Sequence, residues 1–371
     1  VNPLGPPGSL GPAAPDAAQD AEARVRAAFA FQSESCGKLG SPFMAWLCRA
    51  LGERLTPDGE VGHRVLAWQG DPSSFGDSVP LRLCGGLHAL ALSGRRPGLT
   101  RVYGVSPPDA GTWDEIAAAL GEEAPRLSLA LDSAPQTNEV ARAAVVYPAF
   151  AAIAAHVGRP LELLEVGASA GLNLNCDRFA YAIGTWRGGD PGSGVRLAPA
   201  PRGRAPTAGD PVIEARSGCD LRPCDLSDPG AVDRLLSYVW PDQPERLARM
   251  RAAISIARAA PPQVDRADAV AWLRSRLADA PEGRARVVYS TIAWQYLTPA
   301  AQAEGEALMA AAGASATPKA PLAWVRFEAD DAGPGAGLRL DLWDGARPRQ
   351  TIALGRGDFH GRWVDWRGLA T

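Results

Sequence analysis

The residues best suited by type and spacing to chemistry lie in one stretch, Leu161-Glu-Leu-Leu-Glu-Val-Gly-Ala-Ser-Ala-Gly-Leu-Asn-Leu174. An apolar run ends in Glu165-x-Gly167, and Gly171 follows four residues later. A strand, a tight turn and a helix start in immediate succession are what a nucleotide site requires. Gly167 lets the chain turn with a positive φ or lets a ligand approach its backbone, and a helix beginning at Gly171 offers free N–H groups.

Two kinds of segment must hold this loop in place. From residue 21 to 156 the pattern is mostly helical. Ser41-Pro42 reads as an N-cap with proline in the first turn, and Ser133-Ala-Pro-Gln136 fits a capping box that opens a helix running to Gly158. The Gly85-Gly86 pair marks close helix packing or a weak helix. After Gly158 short apolar runs alternate with helices: 161–166, 211–220, 285–294, 322–329, 338–345 and 349–356. Such alternation predicts an α/β fold with a parallel sheet, and the last two runs, joined by a few residues containing Gly345, predict a C-terminal antiparallel hairpin. The expected organisation is a disordered tail over 1–20, a helical N-terminal domain over 21–157 and an α/β domain over 158–371. The glycine- and proline-rich stretches 186–211 and 330–337 are read as loops.

Composition narrows the partners. The 371 residues carry 38 basic and 41 acidic side chains, a net charge of −3, with no basic stripe, so nucleic acid is not an expected partner. Six scattered cysteines without a C-x-x-C pair read as reduced cytoplasmic thiols. Cys219 and Cys224, beside Asp220 and Asp225, could in principle hold a metal. Zinc sites usually show two close ligand pairs, however, and the four histidines lie far apart, so no metal is expected. No apolar run approaches the ~20 residues of a membrane span, and residues 1–20 lack the regions of a signal peptide, which predicts a cytoplasmic protein away from membranes.

The segment Glu165-Val-Gly167-Ala168-Ser169-Ala-Gly171 resembles motif I of class I S-adenosylmethionine-dependent methyltransferases, with Ser169 where the middle glycine is usual. The resemblance implies a Rossmann-like seven-stranded sheet and S-adenosylmethionine as cofactor. Glu165, the 167–171 loop and Asn173 would hold its methionine part. It implies an acid at the end of the second strand for the ribose, with Asp220 the candidate and Asp225 or Glu214 as alternatives. Asp268-Ala269 would flank the adenine, and Ser290 with Trp294, Gln295 and Tyr296 would lie near the reactive methyl. The acceptor is expected to be a small molecule. The longer stretches FQSESCGKLGSP, QTNEVAR, LLEVGASAGLNLNCDRFAY, VWPDQPERLARMRAA and STIAWQYL are similar to a bacterial family, domain of unknown function 2332, which by itself implies no activity.

Rival readings remain open. A non-catalytic protein that keeps the nucleotide as a ligand would show the same loop. The loop also reads G-x-S-x-G, the nucleophile elbow of α/β-hydrolases, with Ser169 as nucleophile and His360 oriented by Asp341 or Asp358. Against the hydrolase, residues 21–156 read as helices where such an enzyme needs strands. Gln136, Asn138, Glu139 and Arg142 are either surface pairs on a helix or a polar face turned into the cleft. Asp268 is either an adenine contact or a helix N-cap, and Trp294 and Tyr296 are either core residues or a substrate platform.

Overall fold

The computed structural model describes residues 15–369, and it separates into two compact units. The first runs to Gln136 and takes in Asp233–Leu247; the second comprises Thr137–Val232 and the chain from Ala248 onward. This differs from the expected division at 157/158. The apolar segment before Gly158 belongs with the sheet it packs on, and the chain re-enters the helical unit for residues 233–247. Of the tail expected over 1–20, residues 1–14 lie outside the described residues, and the rest opens a helix.

The helical unit is built from α1 (Pro15–Lys38), α2 (Pro42–Arg54), α3 (Glu60–Leu66), α4 (Val79–Leu92), α5 (Pro97–Val102), α6 (Ala110–Glu122) and α7 (Ala124–Leu131). Ser41 caps α2 by accepting from Met44 N at 3.2 Å, with Pro42 in the first turn, and Asp109 and Thr112 form a reciprocal capping box on α6. Val25, Phe29, Leu47, Leu83, Leu87 and Leu127 are fully buried in one apolar core. The Gly85-Gly86 pair is a packing feature. A Cβ at Gly85 would stand 2.5 Å from the Tyr238 ring, and one at Gly86 2.9 Å from the Ala130 methyl.

In the second unit α8 (Ala143–Val157) precedes β1 (Leu161–Val166), a 3₁₀ turn (Leu172–Arg178), β2 (Ala180–Ile183), β3 (Trp186–Gly189), β4 (Arg196–Leu197), β5 (Ala200–Pro201) and β6 (Ile213–Asp220). Then follow α9 (Pro229–Ser237), α10 (Pro244–Ala259), β7 (Gln263–Arg266), α11 (Ala269–Arg276), β8 (Ala285–Thr291) and α12 (Pro299–Ala314). The chain closes with β9 (Leu322–Ala329), β10 (Ala336–Trp343), β11 (Gln350–Gly357) and β12 (Trp363–Trp366). The main sheet has nine strands in the order β5-β12-β11-β10-β9-β8-β1-β6-β7, with β7, β6, β1, β8 and β9 mutually parallel and β9 to β12 antiparallel.

Two expectations change here. The sheet is larger than seven strands, and its antiparallel part is a meander that begins at β9, because the loop 330–335 is too short for a crossover helix. The stretch 186–211 is not only loop. β3 and β4 flank β2 in a small second sheet, and β5 extends the main sheet by pairing with β12. Trp186 explains the first of these. Its ring packs near Tyr181 and Tyr147, and its indole N–H donates to Ala208 O at 2.8 Å.

The segment Val140–Val157 has the length and apolar character of a membrane span. It packs instead on β8, β9 and β11, with 67% of it buried, as a core helix. Apolar residues on every side are what a helix enclosed in this way requires.

Candidate functional site

β1 sits between β6 and β8. The chain steps from β1 outward through β6 and β7, then resumes on the other side at β8. In open α/β sheets such a reversal is where ligands bind, in the crevice beyond the carboxyl ends of the strands, here β1 and β8. The 167–171 loop leaves β1 at that end, with Gly167, Ser169 and Gly171 all at positive φ (72°, 54° and 69°).

Four of the loop's five N–H groups, all but that of Ala170, are already committed. Gly167 and Ala168 donate to Cys219 O at 2.9 and 3.0 Å, Ser169 to Asp220 Oδ2 at 2.9 Å, Gly171 to Ala168 O at 2.7 Å and Leu172 to Asn138 Oδ1 at 3.0 Å. The expected α-helix with free N–H groups is therefore absent. A kinked 3₁₀ turn follows Gly171, and the Asn138 carboxamide occupies its first donor. The glycines also make room for protein and not for a ligand. A Cβ at Gly167 would lie 2.5 Å from the Ala293 methyl, and one at Gly171 2.7 Å from Pro262 Cγ.

What the site leaves open is a set of buried polar side-chain atoms. Among the described residues Glu165 Oε2, Ser169 Oγ, Asn173 Oδ1 and the neighbouring Tyr289 hydroxyl have no hydrogen-bond partner, on residues that are 1%, 3%, 1% and 0% exposed. Burial pushes the Glu165 carboxyl up to about 8; the neighbouring Tyr289 hydroxyl opposes the shift, the Asp220 charge adds to it, and Arg142 opposes it. Asn173 Nδ2 donates to Glu139 O at 3.3 Å, and Glu139 Oε1 accepts from Ala141 N at 3.1 Å. Arg142 ties the site's far side together, donating to Phe359 O at 3.0 Å and Thr291 O at 2.8 Å. Asn138, Glu139 and Arg142 thus brace the loop from a coil and the short 3₁₀ turn Val140–Arg142 that Glu139 caps, and not from the expected helix. Gln136 is half-buried in the coil that ends the helical unit, where no capping box forms.

The remaining positions divide clearly. Asp220 is the last residue of β6, with one carboxylate oxygen on Ser169 N and the other on Arg222 N at 2.8 Å. Glu214 lies at the opposite end of that strand, and Asp225 is held by Ser227 in the following loop. Asp268 caps α11, with Oδ1 accepting from Val270 N and Ala271 N at 3.0 Å, and Ala269 is the first residue of that helix. Ser290 is not free for catalysis, since it donates to Glu328 Oε1 at 2.7 Å. Trp294 is a core residue packed edge-on against Trp324, Gln295 Oε1 accepts from Ala329 N, and Tyr296 is 68% exposed.

The hydrolase constellation does not assemble. Ser169 has the positive φ of an elbow residue, yet its Oγ has no partner. Asp341 is enclosed by Arg326, Arg349 and Thr351, and Asp358 holds the His360 backbone N–H and the Arg362 guanidinium. Among the described residues no group of three or more His, Cys, Asp or Glu side chains is arranged to hold a metal; Cys219 is buried, and the Cys224 thiol approaches Ala231 O at 3.6 Å.

Glu328 is the residue that sequence reasoning missed. Its half-buried carboxylate gathers the Ser290 hydroxyl and the N–H groups of Ala293, Trp294 and Gln295, which fixes the turn after β8, where Ile292 has a φ of 54°. Burial raises its pKa against those hydrogen bonds. Gly218 was equally invisible: a Cβ there would stand 2.6 Å from the Ala168 methyl, and a lone glycine inside a strand was the one signal for it. Glu328→Gln turns one acceptor into a donor facing other donors and is expected to cost about 1–3 kcal/mol in urea unfolding. A loss below ~0.5 kcal/mol would show that the turn holds itself.

The fold is a mixed α/β one with a large, parallel-rich sheet and many helices, and buried polar side chains without partners among the described residues gather at the turn after β1. The chain belongs to the family described as uncharacterized protein conserved in bacteria, domain of unknown function 2332, whose family model matches residues 26–366. No curated protein and no solved structure matches it.

Proposed function

We propose that the crevice takes S-adenosylmethionine and that the protein is a methyltransferase-like enzyme acting on a small-molecule acceptor. One observation carries this reading: the N–H groups of Gly167, Ala168, Ser169 and Gly171 are committed, while Glu165 Oε2 and Asn173 Oδ1 are buried acceptors without a partner among the described residues, beside the Ser169 and Tyr289 hydroxyls, which can accept as well as donate. A phosphate would need the opposite arrangement, a cradle of open N–H groups. A ligand with an ammonium group supplies the missing donors, as the amino-acid end of S-adenosylmethionine does. The order β7-β6-β1-β8-β9, all parallel, supports the class I resemblance, and the meander beyond β9 departs from it.

The bound cofactor supplies an electrophilic methyl on sulfur. Glu165 receives the ammonium and gives up its proton as the charge arrives. Asp220 keeps lone pairs for ribose hydroxyls after accepting its two N–H groups, since a carboxylate offers about four acceptor positions. Asp268 Oδ2 is the corresponding acceptor beside β7. Glu328 holds the turn that closes the crevice over β8. The chain contributes position and desolvation, the usual source of rate in a displacement that needs no general base from the enzyme.

Titration calorimetry of the full chain with S-adenosylmethionine and S-adenosylhomocysteine tests the reading. Saturable binding is expected for both, with proton release at pH 7 visible as a heat that depends on the buffer. No binding of either at millimolar concentration sinks the proposal. Methyl transfer from labelled cofactor to a small acceptor separates an enzyme from a non-catalytic binder. Ser169 is expected to resist fluorophosphonate labelling, and covalent capture there would favour the hydrolase.

A further inference from the structure

We infer that a second cleft in the sheet unit, of about 640 Å³, binds a small monocarboxylate with an apolar body. Its size falls in the range of ~300–1,000 Å³ usual for small-molecule sites. Pro223, Pro261 and Pro262, with Leu226 and Val264, give it rigid apolar walls. Proline contributes no N–H, so these walls offer contact area with few donors.

The charge in the cleft comes from three side chains. Arg266, the last residue of β7, has no hydrogen bond or ion pair for its guanidinium among the described residues. Arg258 uses only Nε, on Leu226 O at 2.9 Å, which leaves its two terminal nitrogens without a partner among the described residues. Asp225 is the single carboxylate of the lining, and its Oδ1 accepts from the N–H and hydroxyl of Ser227. Two guanidiniums and one carboxylate leave one net positive charge, which suits a monoanion better than a dianion. The planar donor edge of a guanidinium matches a carboxylate in two parallel hydrogen bonds.

The cleft differs in chemistry from the crevice, which presents acceptors and asks for a donor, and it stands independently of the cofactor reading. Val264 and Arg266 share one face of β7, whereas Asp265 between them turns to the other face and accepts from Trp272 and Arg276. The two sites share the 167–171 loop, through Ala170 in the cleft wall.

Cys224 provides a local reporter, because it lines the cleft and is the one cysteine of the six that is not buried. N-ethylmaleimide labelling of the full chain, read by mass, is followed against increasing 2-naphthoate and its neutral analogue 2-naphthamide. Naphthoate is expected to protect Cys224 saturably, with naphthamide about tenfold weaker, the difference that one charge-assisted pair makes. Arg266→Gln and Arg258→Gln should each weaken naphthoate about five- to tenfold and leave naphthamide unchanged. Titration calorimetry with the same two compounds must give the same ranking, and it decides the matter if the thiol reacts too slowly to follow. Absence of naphthoate binding, equal affinity for acid and amide, or unchanged affinity in Arg266→Gln would overturn the inference.

Discussion

Gly167→Ala is expected to destabilise the sheet unit by about 2–5 kcal/mol, from a left-handed backbone penalty of ~1–2 kcal/mol and an overpacking cost of ~1–3 kcal/mol. Both parts have a visible source, φ at 72° and the Ala293 methyl at 2.5 Å from the added Cβ. Urea unfolding gives the sum, and the double variant Gly167→Ala, Ala293→Gly separates the parts, since removing the Ala293 methyl should recover only the overpacking share. A single-variant loss under ~1 kcal/mol would mean that the turns after β1 and β8 can part without cost. The result matters for function because the same substitution imitates loss of a ligand contact. The protein's own packing accounts for it.

Glu165→Gln is expected to do the reverse, raising the stability of the ligand-free protein while removing ligand binding. The folded pKa of about 8 lies above the ordinary 4.5, so the group's contribution to stability is fully present below pH 4.5 and declines as pH rises to about 8. At pH 7 the loss amounts to (7 − 4.5) pH units at ~1.36 kcal/mol each, about 3 kcal/mol. Glutamine escapes it, so the variant should be more stable than the parent by about that much at pH 7 and nearly equal to it at pH 4.5. The same change removes the charge that would receive an ammonium, and affinity for S-adenosylmethionine should fall about ten- to hundredfold, together with the proton release. A variant with parental stability across this range, or with parental affinity, would dissociate Glu165 from the site. A group that weakens its own fold at neutral pH is characteristic of a site kept for binding.

Much of the α/β unit was legible because strands and helices announce themselves by period. LELLEV, the 213–220 run and 285–291 are short, apolar and separated by helical stretches, and each became a parallel strand. The antiparallel end was legible only in part. The hairpin of β10 and β11 follows from the short connection at Gly345, but the pairing of β5 with β12 joins residues far apart in sequence through backbone atoms alone. The 186–211 stretch misled for a related reason, because its glycine and proline content hides two-residue strands that exist only where a partner edge is present.

The motif picked out Glu165, Ser169 and Asn173, three buried residues with an unpartnered polar atom among the described residues. Their condition was not found. Whether a glutamate is solvated or enclosed depends on what covers it, here Tyr289 and the Asn138–Arg142 brace, contributed by segments with no periodic relation to the loop. The reading of Gly167 and Gly171 went astray in the same way: their need for positive φ is local and was anticipated, but what occupies the space beside them is decided by Ala293 and Pro262. Sequence alone thus determined the strand, the glycine turn that follows it and the identity of the acid that precedes the turn, because these depend on backbone preferences over a few residues. Only the tertiary structure decided that most of the loop's N–H groups are taken while Glu165 Oε2, Ser169 Oγ and Asn173 Oδ1 are left without partners, because hydrogen-bond satisfaction is a property of what arrives from elsewhere in the chain.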